Sequence, residues 1–225
     1  MIKAIFIDID NTLLDFNKCS KIAVENTMSE FGLDFCDEIY KVFLEVNDVL
    51  WREIEKHTLT KEELYKVRWN MIFERFGIVA DGERFDSRFR EIIQETAVPV
   101  DNAPEILEYL SMKYPVYAVS NAFHKKQELR LEKAGMNKYI KMVMVSGEIG
   151  HLKPSRGFFD SCMKKAGLEN PGEVIMIGDS LSADISGGME YGLKTCWFNY
   201  NNDKLPDDIR PDFTVNSLVE LKLYL

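Results

Sequence analysis

A chain of 225 residues that is 46% hydrophobic and 29% charged has the make-up of an ordinary globular protein, with room for one sizeable core and a smaller companion domain. Its formal net charge of −9 supplies no basic field to displace counterions from a phosphate backbone, which argues against non-specific nucleic-acid binding. Any phosphorylated ligand must therefore bind at a local site. The four cysteines, Cys19, Cys36, Cys162 and Cys196, are scattered without a C-x-x-C pair, a pattern that fits reduced thiols better than a disulfide framework or a zinc centre.

No stretch approaches the ~20 apolar residues of a membrane span, and the opening MIKAIFIDID has no basic segment followed by an uninterrupted apolar run and a cleavage site. A cytoplasmic protein with no membrane partner is expected. Its oligomeric state, monomer or dimer, stays open.

The first predicted element is a strand, IKAIFIDI over 2–9, which delivers two acids, Asp8 and Asp10, at its C-terminal end. Buried carboxylates are costly unless paired, hydrogen-bonded or bound to a metal, so this pair asks for a reason. If the strand continued regularly, the two-residue spacing would point both side chains the same way. From 16 to 95 the pattern becomes helical, with apolar residues at helical spacing in KIAVENTMSEFG, EIYKVFLEVNDVLWREIEKH and TKEELYKVRWNMIFERFG. Thr60 followed by Glu63 is a capping-box signature for the third of these. Residues 16–95 therefore form a predicted helical insert, leaving 1–15 and 96–225 as the core, and Trp51 and Trp69 are expected to pack inside the insert. His57, His124 and His151 lack ligand spacing and are expected at the surface or behind the site.

Beyond the insert, helical patterns such as APEILEYLSMKY and HKKQELRLEKAGM, the second closing at Gly135, alternate with apolar runs. The runs are PVYAVSN (115–121), KMVMVS (141–146), EVIMIGDS (173–180), KTCWFN (194–199) and a weaker DFTVNS (212–217). Continuous apolarity marks strands buried on both faces, so the class is α/β with an open parallel sheet. Ligands bind beyond the carboxyl ends of such strands. Those ends carry Asp8, Asp10 and Thr12, then Ser120 and Asn121, then Lys153 in GHLKPS, then Asp179 and Asp184 in GDSLSAD.

Several carboxylates in one place repel one another, and oxygen ligands without His or Cys favour Mg2+. A lysine, a hydroxyl and an amide beside such a metal suit a phosphoryl group, whose transfer depends on positioning and charge stabilisation. Taken singly, each feature has a plainer reading: Ser120-Asn121 as a turn, Lys153-Pro154 as an exposed loop, Asp179 as a helix cap.

Taken in order, DIDNT, SN, KP and GDSLSAD resemble the four motifs of the haloacid dehalogenase (HAD) superfamily of phosphohydrolases. The resemblance implies a HAD-like Rossmannoid parallel-sheet core with an inserted all-helical cap. It implies Asp8 as the nucleophile that forms an aspartyl-phosphate, and Asp10 as the acid that protonates the leaving oxygen and then activates water. Thr12 would brace the loop and border the phosphate site, Ser120 and the Asn121 amide would hold phosphoryl oxygens, and Lys153 would offset negative charge. Mg2+ would bind Asp8, the Asp10 main-chain carbonyl, Asp179 and Asp184, the last directly or through water. Dehalogenases and phosphonate-cleaving members lack the acid two residues after the nucleophile, so Asp10 favours phosphate esters. Ala122 departs from the pattern, since many relatives follow the Asn with Gly, but this removes no reacting group.

The helical insert resembles the C1 cap of subfamily I. LWREIEKHTLTKEEL with the later RW, then RLEKAGM, TCWFN and FTVNSLVEL, are similar to the YjjG/YfnB-type pyrimidine 5′-nucleotidase group. That similarity implies a nucleoside 5′-monophosphate substrate, with the aromatic-rich cap and the Phe16 region near the base. Two alternatives remain: a sugar-phosphate phosphatase or phosphomutase on the same scaffold, and a noncatalytic module that binds a phosphate ligand.

Overall fold

The computed structural model describes the backbone of residues 1–122 and 124–225, with all of their side chains except those of 124 and 125, so the reading of His124 lies outside the described residues. Six strands form one parallel sheet: β1 (Ala4–Ile7), β2 (Val116–Ser120), β3 (Met142–Val145), β4 (Val174–Gly178), β5 (Lys194–Phe198) and β6 (Phe213–Val215). Their order, β3-β2-β1-β4-β5-β6, is that of a doubly wound sheet. The chain fills one side of β1 and then crosses to the other side at β4. The crevice at such a reversal lies beside the carboxyl ends of β1 and β4, where Asp8 and Asp179 follow.

The pleat explains why the strands read as continuous apolar runs. In β1, Ile5 and Ile7 pack on one face with Val116, Ala118, Val143, Val145, Ile175 and Ile177. Ala4 and Phe6 pack on the opposite face with Tyr117, Val119, Met144, Val174 and Met176. Alternation persists, but both faces are covered, so both sets are apolar. Helix α5 (Ala103–Ser111) contributes Ile106, Leu107 and Leu110 to the first face, α6 (His124–Lys133) contributes Leu131, and the 3₁₀ turn Leu218–Leu223 contributes Leu218 and Leu221. The second face is covered by Phe158, Phe159, Cys162 and Met163 of α8 (Arg156–Ala166), which follows the single turn α7 (Ser146–Ile149). Helix α6 ends as expected, with Gly135 at φ 69° and Met136 N–H donating to the Leu131 carbonyl at 2.9 Å.

Residues Asn17–Thr96 make a separate compact unit from Met1–Phe16 and Ala97–Leu225. Its helices are α1 (Phe16–Glu30, entering from the first unit), α2 (Asp37–Glu55), α3 (Lys61–Phe76) and α4 (Gly82–Glu95). The capping box at Thr60 and Glu63 is formed in full. Helix α4 was the least legible because Phe85 and Phe89 are its buried apolar residues in a highly charged stretch; its start is marked by Asp81, which accepts from Arg84 N–H at 3.0 Å. Phe43, Trp69, Phe73, Phe85 and Phe89 form an aromatic core, with the rings of Trp69 and Phe85 4.3 Å apart. Trp51 is half-buried, with the Lys61 ammonium 5.9 Å from its ring, and His57 and His151 are exposed.

Within this core Arg68, 3% exposed, donates to Asp86 through Nε at 3.0 Å and to the Asn47 amide oxygen through Nη1 at 2.8 Å. Asp86 is fully buried, and its other oxygen accepts from Arg90 Nε at 2.7 Å. Burial works against the Arg68 charge and lowers its pKa, with Asp86 opposing the shift. The pair is therefore expensive to break from one side. Replacing Asp86 by Ala should lower the stability of the helical unit by about 3–5 kcal/mol. The shift in the urea midpoint, followed by tryptophan fluorescence, measures it. None of the described helices is long and apolar enough to cross a membrane.

Candidate active site

Strand β1 ends one residue before Asp8, whose N–H still bonds to the Ile177 carbonyl of β4 at 2.8 Å. The backbone is thus anchored in the sheet while the side chain projects beyond its end. The extended conformation then stops. Asn11 takes φ 61°, and the N–H groups of Leu13 and Leu14 both return to the Ile9 carbonyl at 2.8 Å. The sheet pairing of β1 thus ends before Asp10, which makes only an isolated bridge to Leu14, and the two carboxylates have different partners.

Asp8, 7% exposed, accepts from the Lys153 ammonium at 2.6 Å. Lys153 is 2% exposed and also donates to Asp184 at 2.7 Å and to the Val119 carbonyl at 3.1 Å. It is not the exposed loop residue of the plainer reading. Its backbone is clamped by Asn121, which donates through Nδ2 to the Lys153 carbonyl at 3.0 Å and accepts Lys153 N–H at 2.8 Å. The side chain of Asn121 thus ties the end of β2 to the lysine loop. Burial acts to lower the Lys153 pKa, but the carboxylates of Asp184 and Asp8 outweigh it and the net direction is upward.

Asp184 sits in a π-helical segment, Leu181–Ser186, that runs into α9 (Gly187–Tyr191). Ser180, not Asp179, caps this segment, accepting from Ala183 N–H at 3.1 Å. The bond from Ile185 N–H to the Ser180 carbonyl, 3.1 Å and five residues back, shows the widened turn. The second carboxylate oxygen of Asp184 accepts from Ser180 N–H at 3.1 Å. Gly178 makes this placement possible, since a Cβ there would lie 2.2 Å from Asp184 Oδ2.

Asp179 follows β4. Thr12, fully buried, directs its hydroxyl at Asp179 Oδ1 from 3.4 Å, and Trp197 Nε1 donates to the Asp179 carbonyl at 2.9 Å. Carboxylate oxygens of Asp8, Asp179 and Asp184 all lie within 4.8 Å of one another. Burial pushes the Asp8 carboxyl up to about 7, against the pull of Lys153 and with help from Asp184. Burial and the charges of Asp8 and Asp184 push Asp179 up as well. Three acids against one ammonium leave a charge of −2 if all ionise, an excess that adds to burial in raising Asp8 and Asp179. A hard divalent cation with oxygen ligands fits this donor set in charge, chemistry and spacing.

Asp10 stands outside this cluster. Its Oδ1 accepts from Arg130 Nη1 at 2.7 Å and its Oδ2 from Gln127 Nε2 at 2.6 Å. Ser120, 2% exposed, accepts at Oγ from Ala122 N–H at 3.1 Å and from Gln127 Nε2 at 3.2 Å. Gln127 and Arg130 were not picked out from the sequence. Their signal is positional: they lie three residues apart on one face of the helix that follows the SN motif, where a solvated face would be polar for no special reason.

Comparison with known proteins agrees with this geometry. The family described as haloacid dehalogenase-like hydrolase matches residues 2–192. The chain is 29% identical to the pyrimidine 5′-nucleotidase YjjG of Escherichia coli over 98% of its own length and 96% of the relative's. It is 28% identical to the pyrimidine 5′-nucleotidase PynA of Streptococcus pneumoniae, over 97% and 93%. The crystal structure of the HAD-hydrolase YfnB of Bacillus subtilis, bound to magnesium, superposes with a TM-score of 0.95 at 27% identity, covering 100% of this chain and 98% of that one. The motif order, the parallel sheet and the match over residues 2–192 together establish that the chain belongs to the haloacid dehalogenase-like hydrolases.

Proposed function

We propose that this protein is a magnesium-dependent phosphomonoesterase that hydrolyses nucleoside 5′-monophosphates, with a leaning toward pyrimidines, through an aspartyl-phosphate. The observation that carries the reading is the buried Lys153 held between Asp8 and Asp184, with Asp179 completing an oxygen cluster and Asp10 bonded instead to Gln127 and Arg130. A binding module has no need of two acids in such different surroundings. The substrate class follows the relatives that are pyrimidine 5′-nucleotidases. The enzyme is proposed to work in the cytoplasm, which suits its four free cysteines.

In the first half-reaction an Asp8 carboxylate oxygen attacks phosphorus. The Asp8 O–P bond forms as the ester P–O bond breaks, and the departing electron pair goes to the ester oxygen, which takes a proton from the Asp10 carboxyl. In the second, the Asp10 carboxylate takes a proton from water as its oxygen attacks phosphorus, and the P–O bond to Asp8 breaks to release inorganic phosphate. Lys153 keeps Asp8 oriented and offsets charge on the phosphoryl group. Ser120 and the Asn121 amide border the phosphoryl oxygens. Thr12, buried against Asp179, fits a brace for the loop better than a phosphate contact. Mg2+ would be held by the carboxylates of Asp8, Asp179 and Asp184 and the Asp10 carbonyl, supplying positive charge to the phosphoryl oxygens.

Replacing Asp8 by Asn should abolish phosphate release while leaving the far-ultraviolet circular dichroism unchanged; turnover at the normal rate in that variant would remove the nucleophile assignment. Chelation by EDTA should silence the enzyme, and added Mg2+ should restore it in the same assay. In a phosphate-release panel, pyrimidine 5′-monophosphates should give higher kcat/KM than hexose phosphates. The reverse ranking would favour a sugar-phosphate phosphatase, and isomer formation without free phosphate would indicate a mutase.

A further inference from the structure

The network around Asp10 is built from residues that the reaction scheme above does not use. Arg130, whose side chain is 6% exposed, and Gln127, 1% exposed, lie on the buried face of α6 and contact the partly exposed Asp10 carboxylate, one on each oxygen. Arg130 Nη1 also donates to Gln127 Oε1 at 3.0 Å, which turns the Gln127 amide so that its Nε2 faces both Asp10 and Ser120. The three side chains form a closed triangle. Apart from the half-turn that exchanges its two equivalent oxygens, rotation of Asp10 about its side-chain bonds breaks at least one contact.

A buried guanidinium is costly to desolvate and repays that cost only through well-made pairs. Here its pairing is with an acid on a turn that lacks a strand to stiffen it. An aspartate on such a turn would otherwise exchange between rotamers, and a misplacement of about 1 Å in a reacting group can cost roughly 10²-fold in rate. Gln127 adds a second constraint. Its single amide nitrogen bonds Ser120 at the end of β2 and Asp10 after β1, so it sets the distance between the strand end beside the phosphoryl oxygens and the proton donor.

We propose that Gln127 and Arg130 are positioning residues that fix the Asp10 carboxyl group where it reaches the leaving-group oxygen, with Gln127 registering it against Ser120. This rests on the reading of Asp10 as the group that protonates that oxygen. Neither residue touches the substrate in this scheme, and both act through Asp10.

The test compares two esters in the intact protein with Mg2+, using kcat/KM, which reports the steps through leaving-group departure. A nucleoside 5′-monophosphate expels an alkoxide that needs a proton, whereas 4-nitrophenyl phosphate expels a phenolate that does not. Arg130→Met and Gln127→Leu should each lower kcat/KM for the nucleotide by roughly 10²-fold and for the aryl ester by less than about 3-fold. Arg130→Lys, which keeps the charge and one donor, should recover part of the nucleotide activity. Equal losses on both esters, or no loss on either, would overturn the proposal. Because Arg130→Met removes a buried ion pair and can unfold the chain, Gln127→Leu and Arg130→Lys decide the matter if circular dichroism shows that variant unfolded. Asp10→Asn separates the two levels of the argument: if it does not discriminate between the esters, the acid assignment itself is wrong. If it discriminates while both Gln127→Leu and Arg130→Lys do not, only the positioning role falls.

Discussion

The site hangs on one buried ammonium group. Lys153 joins three parts of the chain that are distant in sequence: Asp8 after β1, the Val119 carbonyl at the end of β2, and Asp184 in the π-helical segment after β4. In water an exposed lysine paired with an aspartate contributes little. At 2% exposure the balance changes, because each partner that failed to reach the ammonium would leave a charge in a poorly solvated place. The geometry of the strand ends is therefore set by electrostatic necessity as much as by packing. Asn121 serves the same end by holding the Lys153 backbone on both its donor and its acceptor.

Lys153 satisfies only part of the charge it gathers. The upward shifts at Asp8 and Asp179 mean that the cluster resists full ionisation on its own, and a cation bound among the three acids would reverse that tendency. The backbone is shaped to let the acids approach. Gly178 leaves the space that the Asp184 carboxylate fills, and the widened turn after Ser180 lets that carboxylate reach back to the end of its own strand. Such turns recur at functional sites because they aim a side chain that a regular helix would direct elsewhere.

Much of this was legible in the amino-acid order, and the reasons are specific. The six strands read as apolar runs because both faces of the sheet are covered, and each formed inside its expected span, shortened by a few residues at one or both ends. The acids, the lysine and the Ser-Asn pair could be placed because an open parallel sheet puts every strand end on one edge. What escaped reading were features that depend on tertiary contact. Helix α4 hides its buried aromatic residues among charges that Glu30 and Asp86 partner. The partners of Asp8 and Asp10 come from elements distant in sequence, Lys153 for the one and Gln127 and Arg130 for the other, which a strand pattern does not announce. Gln127 and Arg130 lie in a segment whose helical pattern says nothing of what its polar residues meet, whereas both are buried and bond to an acid.

The two acids at the end of β1 therefore differ less by their spacing than by what surrounds them. Asp8 lies among carboxylates and an ammonium in a place where water hardly enters, and its backbone stays in the sheet ladder. Asp10 keeps about a third of its side chain exposed and is gripped by neutral and cationic donors from one helix. A group that bonds to phosphorus needs a fixed direction and a balanced charge; a group that moves protons needs contact with the solvent side and a fixed rotamer. Helix α6 links these demands, since its Gln127 touches both Asp10 and the serine at the end of β2. On the proposed scheme, a displacement of that helix would disturb proton transfer at Asp10 and the strand end at Ser120 together, which would make α6 part of the chemistry as well as of the wall of the core.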